Sequence, residues 1–382
     1  MTRLLEKFSF TQSAVCLQSK RILVIKTTQL GDLVISLPMA AALKQHDAQC
    51  VVIFLTNPTT VEVARCCPDI DDVYGEPETA EALRALLVSL QVDIVIHAHG
   101  SPKIIQAAHE AGIPVRIGAI RRAYNWRWCT HLVASMNSLF DVNKRLVDLQ
   151  YLRPLGIVID DLRAVPGLVH LDAPRLAPDS PFHPHKFARG RHSIILSPAL
   201  VTAKRHQWPL EYYSGLIGGM DATRFHWFIC GGAGDRAALA PLVARHANDH
   251  NVTDMVGRLA LPEFMGFIAC CDGLIAGSTG PLHLAAALGV RSLGLFQSRK
   301  KDIGRWHPVG RDVTVLHSQV ACRGERGTGA SKGEPCPCIV AIGVEQVARQ
   351  VLGWFEGGRV SSRVIDARGR SEAPAAIVTT GR

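Results

Sequence analysis

Short runs rich in Val, Ile and Leu recur along this chain at helix-length intervals, in two separate series. The first series contains "RILVIK" (21–26), "CVVIFLT" (50–56), "VDIVIHAHG" (92–100) and "VRIGAI" (115–120). The second contains "SIILSPA" (193–199), "FHWFICGGAGD" (225–235), "DGLIAGSTG" (272–280) and "RSLGLF" (291–296). Apolar runs with helical stretches between them, such as the amphipathic stretch from Leu33 to Gln45, predict parallel sheets buried on both faces. Between the series, "VPGLVHLDAPRLAPDSPFHPHKFARGRH" is proline-rich, basic and aperiodic, which marks a linker. A chain of 382 residues also exceeds one ordinary core. The expectation is therefore α/β, with two doubly wound domains and a cleft between them. The expected boundaries are 1–165, a linker over 166–192, 193–356, and a flexible tail over 357–382. The segment "GVEQVARQVLGWFE" (343–356) is the expected last ordered helix. In such sheets ligands bind beyond the carboxyl ends of the strands, so the residues just after each run matter most.

Composition removes several classes. With 47% apolar and 20% charged residues the chain is not globally disordered. Its 11 cysteines follow no disulfide-framework spacing, and the first residues carry Arg3, Glu6 and Lys7 with no apolar core of a signal, so a reducing cytosolic compartment is expected. Residues 273–290 lack any charge, but Gly-Ser-Thr-Gly-Pro in their middle makes them strand, turn and helix, not a membrane span. The net charge of +9 suits an anionic partner such as a nucleotide or an acidic glycolipid.

Three turns carry the chemistry. "GSTGPLHLAAALG" (277–289) passes from strand to helix through Ser278, Thr279 and Gly280, with His283 in the helix. Its free amides fit an anion site, and Ser278 equally fits an ordinary helix N-cap. "AKRHQWPLEYYSGLI" (203–217) gathers Lys204, Arg205 and His206 before Trp208-Pro209, which suits a diphosphate or a solvated basic loop. "CGGAGDRA" (230–237) lacks the full dinucleotide-binding glycine spacing, so Asp235 reads either as a ribose-binding acid or as a helix cap. In the first series, "KTTQLGDLVISLP" (26–38) puts one carboxylate, Asp32, beside Gly31 at a strand-to-helix turn.

"ILVIKTTQLGDLVISLP", "HQWPLEYYSGLI", "GSTGPLHLAAALGVRSLGLF" and "CPCIVAIGVEQV" stand in an order and spacing that resemble glycosyltransferase family 9, the bacterial lipopolysaccharide heptosyltransferases. The resemblance covers roughly residues 20–355 and implies a GT-B fold: two Rossmann-like domains facing a central cleft, the N-terminal one for the acceptor and the C-terminal one for a nucleotide sugar, typically ADP-heptose. It implies that Asp32 is the general base of an inverting transfer, since the attacking hydroxyl must lose its proton as the new bond forms. A carboxylate in a first helical turn is favourably placed, and Gly31 would let the backbone approach the acceptor. The same resemblance implies that Thr279 and Gly280 donate amides to the leaving diphosphate, helped by residues 204–206, with His283 supporting the turn. Leu259 falls at the position near the adenine, where core packing is the alternative.

Two positions depart from the family pattern. Ser278 stands where the family carries an acid before its Thr/Ser-Gly, and His206 where it carries a lysine two residues before Trp-Pro. These departures fit an altered sugar specificity or a non-catalytic nucleotide-sugar-binding homologue; a nucleotide-sugar epimerase on the same fold is the remaining alternative. For the acceptor, His97, His99, Ser101 and Lys103 follow a strand, and Arg116, Arg121, Arg122, Lys144 and Arg145 add positive charge suited to an acidic lipopolysaccharide core. No cofactor beyond the donor substrate and no nucleic-acid partner are expected, and peripheral contact with the inner face of the inner membrane fits a lipid acceptor. "DIDD" (69–72) is an ordinary loop, because GT-B transfer needs no metal. Cys322, Cys336 and Cys338 with His317 are poorly spaced for zinc, and a reduced structural loop is the expectation.

Overall fold

A computed structural model describes residues 15–134, 142–168, 171–198, 206–322, 335–356, 363–366 and 371–372. The chain divides into two compact units, Met1–Asp172 and Ala173–Arg382. Among the described residues no helix is long and apolar enough to cross a membrane.

The first unit contains β1 (Arg21–Lys26), β2 (Val51–Thr56), β3 (Asp72–Gly75), β4 (Ile94–His99), β5 (Val115–Ala119) and β6 (His131–Val133). They form one sheet in the order β3-β2-β1-β4-β5-β6, with every neighbouring pair parallel. Ile22 to Ile25 of β1 are fully buried, and a core of Leu23, Ile25, Ile53, Val95, Ile104 and Leu132 joins the sheet to its helices. The stretch expected to be one amphipathic helix is instead two short ones, Leu30–Ser36 and Pro38–His46, buried almost continuously from Leu33 to Leu43. Pro38 starts the second helix, and the run of small and apolar residues leaves no polar face.

The second unit contains β7 (His192–Ser197), β8 (Phe225–Ile229), β9 (Val252–Asp254), β10 (Gly273–Gly277), β11 (Arg291–Phe296), β12 (Val313–His317), β13 (Arg363–Asp366) and β14 (Ser371–Glu372). Their order is β14-β13-β12-β11-β10-β7-β8-β9, parallel except for the antiparallel pair β13–β14. From β9 to β12 this repeats the connectivity of the first sheet, so each unit has the doubly wound dinucleotide-fold order. β13 falls in the stretch expected to be a flexible tail: its backbone pairs with β12, and Ile365 is buried in the core with Val347 and Val351. An arginine-rich surrounding concealed that four-residue strand.

Strand order reverses between β1 and β4 in the first unit and between β7 and β10 in the second. At these two switch points the neighbouring helices lie on opposite faces of the sheet, leaving room for a ligand above the strand ends.

Candidate active site

At the first switch point, Asp32 lies in the first turn of the helix Leu30–Ser36, directly after β1, and is half-buried. No side chain caps that helix. The Thr27 amide donates to the His99 carbonyl oxygen at 3.1 Å, holding the loop after β1 against the end of β4. His99 is exposed there; desolvation of its ring lowers its pKa first, Lys26 and Arg122 lower it further, and the Asp32 carboxylate opposes them. Gly100 follows with little spare room, since a Cβ on it would come within 2.9 Å of Ile25 Cγ2 and 3.1 Å of His97 Nε2. Ser101 is the N-cap residue of the helix Pro102–Glu110, its side chain making no capping bond, and Lys103 is exposed in the first turn.

Beneath these residues is a buried charge cluster. Lys26, the last residue of β1, donates from its ammonium group to Asp148 Oδ2 at 2.6 Å, with both side chains 1% exposed. Lys144, one turn earlier on the helix Lys144–Leu149, donates to Asp148 Oδ1. Burial alone would raise the Asp148 carboxyl; the ammonium groups of Lys144 and Lys26 overcome it and hold the carboxyl below its usual range. Desolvation lowers Lys144, against which Asp148 and Asp32 act as raising charges. Arg145, expected at the surface, is 1% exposed, and burial brings its pKa down to about 9. Two lysines therefore pair with one buried carboxylate, with the buried Arg145 in the same field and Asp32 acting on Lys144, and the local field favours anions.

The other expected basic residues separate. Arg121 is exposed and Arg122 half-buried in the turn before the helix Asn125–Trp128. Arg116 is instead occupied by backbone, its guanidinium donating to the carbonyls of Trp128 and Ile113.

In the second unit, β10 ends at Gly277 and the helix Gly280–Ala287 begins three residues later. Thr279, not Ser278, is the N-cap residue, and its side chain does not cap the helix; its hydroxyl donates back to the Gly277 carbonyl oxygen at 3.3 Å. Ser278 is exposed, while Gly280 is partly exposed at the uncapped start. First-turn amides not taken by a side chain suit an anion. His283 is buried in this helix.

Asp235 accepts from the Gly232 amide at 2.8 Å and so closes the glycine turn after β8. Gly257, with a φ of 65°, packs against that turn, where a Cβ would come within 2.9 Å of Ala233 Cα. Leu259 is half-buried after β9, outside the main core. Lys204 and Arg205 lie outside the described residues. His206 follows β7, near Cys322 and Cys336. His317 is not part of that group; its Nδ1 lies 2.9 Å from the Ser318 carbonyl oxygen.

Sequence reading missed the Lys26–Asp148 pair, because the partners are 122 residues apart. The available signal was a lysine closing an otherwise apolar strand at its ligand-facing end.

Residues 163–334 match the family model described as glycosyltransferase family 9 (heptosyltransferase). A Haemophilus influenzae protein named as a candidate glycosyltransferase is 25% identical over 315 residues, spanning 76% of this chain and 86% of its own. Lipooligosaccharide heptosyltransferase 2 of Campylobacter jejuni is 21% identical over 311 residues, spanning 79% of this chain and 88% of its own. The structure of the E. coli ADP-heptose lipopolysaccharide heptosyltransferase II superposes with a TM-score of 0.68 at 16% identity, covering 87% of this chain and 98% of that one. The resemblance to glycosyltransferase family 9 therefore holds for this chain, and its fold is GT-B.

Proposed function

We propose that this protein is an inverting glycosyltransferase that moves a heptose from ADP-heptose to an acidic acceptor in the lipopolysaccharide inner core. The observation that carries the reading is the Asp32 carboxylate at the first switch point, flanked by His99 and Lys144 and backed by buried cations. A base there can accept a proton while the surrounding positive field draws in an acceptor bearing carboxylates or phosphates. The names of the matched heptosyltransferases support the donor and acceptor classes.

In the proposed reaction the acceptor hydroxyl oxygen forms a bond to the anomeric carbon of the donor as Asp32 takes the hydroxyl proton. The bond from that carbon to the diphosphate breaks, and its electron pair leaves with ADP. Charge developing on the leaving phosphate is met by the amides at Thr279 and Gly280 and by Lys204 and Arg205. In this reading Ser278 and Asp235 contribute to the donor side, Asp235 while holding the glycine turn, and Leu259 packs against the adenine. Gly31, Ser101, Lys103, Arg121 and Arg122 contribute to the acceptor side. No step passes through a metal. The reaction takes place in the cytoplasm, with peripheral contact at the membrane that displays the lipid acceptor.

The test is ADP release and product formation from ADP-heptose and an inner-core acceptor. Wild type is expected to turn over and Asp32→Asn to lose ~10²–10⁴-fold in kcat, the usual range for removing a general base. Equal turnover by both proteins would remove Asp32 from the reaction.

A further inference from the structure

Among the described residues, outside the two strand-order reversals, a group of metal-ligating side chains lies where three segments of the second unit converge. His206 follows β7, Cys322 follows β12, and Cys336 immediately precedes the short helix Pro337–Val340. One ligand atom from each lies within 4.8 Å of the other two. The Cys322 and Cys336 sulfurs are 3.8 Å apart, and Cys338 Sγ is 3.1 Å from Cys336 Sγ. With metal–sulfur bonds of about 2.3 Å, neighbouring thiolates of a tetrahedral zinc site stand about 3.8 Å apart. The Cys322–Cys336 pair already spans that edge. Cys338 stands closer to Cys336 than that edge and outside the group of three, so as a fourth ligand its side chain would rotate.

The surroundings hold these segments together. Cys336 and Cys338 are 1% and 0% exposed, and none of the three cysteines is in a disulfide. The Trp208 indole donates to the Ile342 carbonyl oxygen at 2.8 Å, tying the segment after β7 to the segment after the cysteines. The Ser318 hydroxyl donates to the Cys338 carbonyl oxygen at 2.6 Å, tying in the end of β12.

We propose that His206, Cys322, Cys336 and Cys338 form a structural site for one first-row transition-metal ion, zinc by the softness of three thiolates and an imidazole. Binding releases the three thiol protons, and the thiolate sulfurs and one imidazole nitrogen give their electron pairs to the ion. The ion staples the segment after β7 to the C-terminal part of the unit, outside the chemistry of transfer. It also gives a reason for histidine where the family resemblance has lysine: an ammonium cannot ligate a cation. The inference stands whether or not the chain transfers a sugar.

The full chain, purified under reductant and without chelator, is analysed for metal by plasma mass spectrometry and for ligands by X-ray absorption. One metal per chain with a sulfur-dominated shell and one nitrogen ligand is expected, and it is lost in Cys336→Ser. Because that cysteine is buried, Cys322→Ser and His206→Lys accompany it, with circular dichroism to show that each variant is folded; both are expected to lose the metal while keeping secondary structure. Substoichiometric metal in wild type that added zinc does not raise, or full metal retained in the folded variants, would overturn the proposal.

Discussion

The two switch points share one strand order and differ in almost everything built on it. The first is underlain by charge: Lys26 and Lys144 both pair with the buried carboxylate of Asp148, Arg145 is buried within its field, and Asp32 acts on Lys144. The second presents peptide groups: an uncapped helix start at Thr279 and Gly280, with His283 buried behind it. The sheet decides where a ligand can lie, and the few residues after each strand decide which charge is welcome. A fixed cationic base beside Asp32 suits the acidic acceptor proposed for it. Free amides suit a diphosphate that must be released, because dipoles hold it less tightly than buried ammonium groups.

The largest effect that would sharpen this contrast is on activity. Asp32→Asn removes the proposed proton acceptor of the first site, while its folding free energy is expected to stay within about 0.5–1 kcal/mol of wild type, since the side chain is half-buried at a helix start. Loss of turnover together with a matching loss of stability in urea unfolding would make Asp32 structural instead.

Asp148→Asn attacks the base of the same site. Leaving Lys26 and Lys144 without their carboxylate is expected to destabilise the first unit by about 3–5 kcal/mol, the usual cost of breaking a buried pair. Urea unfolding followed by unit-specific hydrogen exchange measures it, and an unchanged midpoint would show that the cluster carries no such weight.

Acid should also reach the first unit through His97, which is 3% exposed. Burial, followed by the His99 and Arg122 charges, brings its pKa down to about 4 from the ordinary 6.5. The folded state thus resists a proton that the unfolded chain accepts. Stability is fully present above pH 6.5 and is expected to fall by up to about 1.4 kcal/mol per pH unit between pH 6.5 and 4. Unfolding curves of wild type and His97→Gln across that window test it, and the variant should lose this part of the slope. His226, 2% exposed in β8, is likewise lowered to about 4, by burial and then by Arg191 and His250. The second unit therefore keeps an acid-sensitive slope of its own in the His97 variant.

The smallest effect concerns the turn after β8. Gly257→Ala places a Cβ at a φ of 65° against Ala233, which is expected to cost about 1–2 kcal/mol through backbone strain. Differential scanning calorimetry would detect it, and an unchanged melting temperature would show that the turn yields freely.

How much of this was legible depended on burial. Eight interior strands, β1, β2, β4, β5, β7, β8, β10 and β11, announce themselves because parallel strands buried on both faces become continuous apolar runs; β12, interior and buried but short and interrupted by Thr314 and His317, does not. Asp72–Gly75, His131–Val133, Val252–Asp254 and Arg363–Asp366 did not, being short, lying at or near sheet edges and including polar residues. Among the candidate site residues, Asp32 and the Ser278–Gly280 turn could be found from local pattern. Arg145 could not be read as buried, nor Lys26 as paired, because each depends on partners that only the folded sheet brings together. Likewise His317 was nearer than His206 to the cysteines in sequence, but parallel pairing carried the end of β7 to them instead.

The most direct measurement is calorimetric titration of ADP-heptose, beside UDP- and GDP-sugars, into wild type, Asp32→Ala and Thr279→Pro. Adenine-selective binding that persists in Asp32→Ala and disappears in folded Thr279→Pro is the predicted result, with the donor held by the amides after β10 and Asp32 left for the acceptor. Failure of wild type to bind any ADP-sugar, or binding lost with Asp32 and kept in Thr279→Pro, would contradict it.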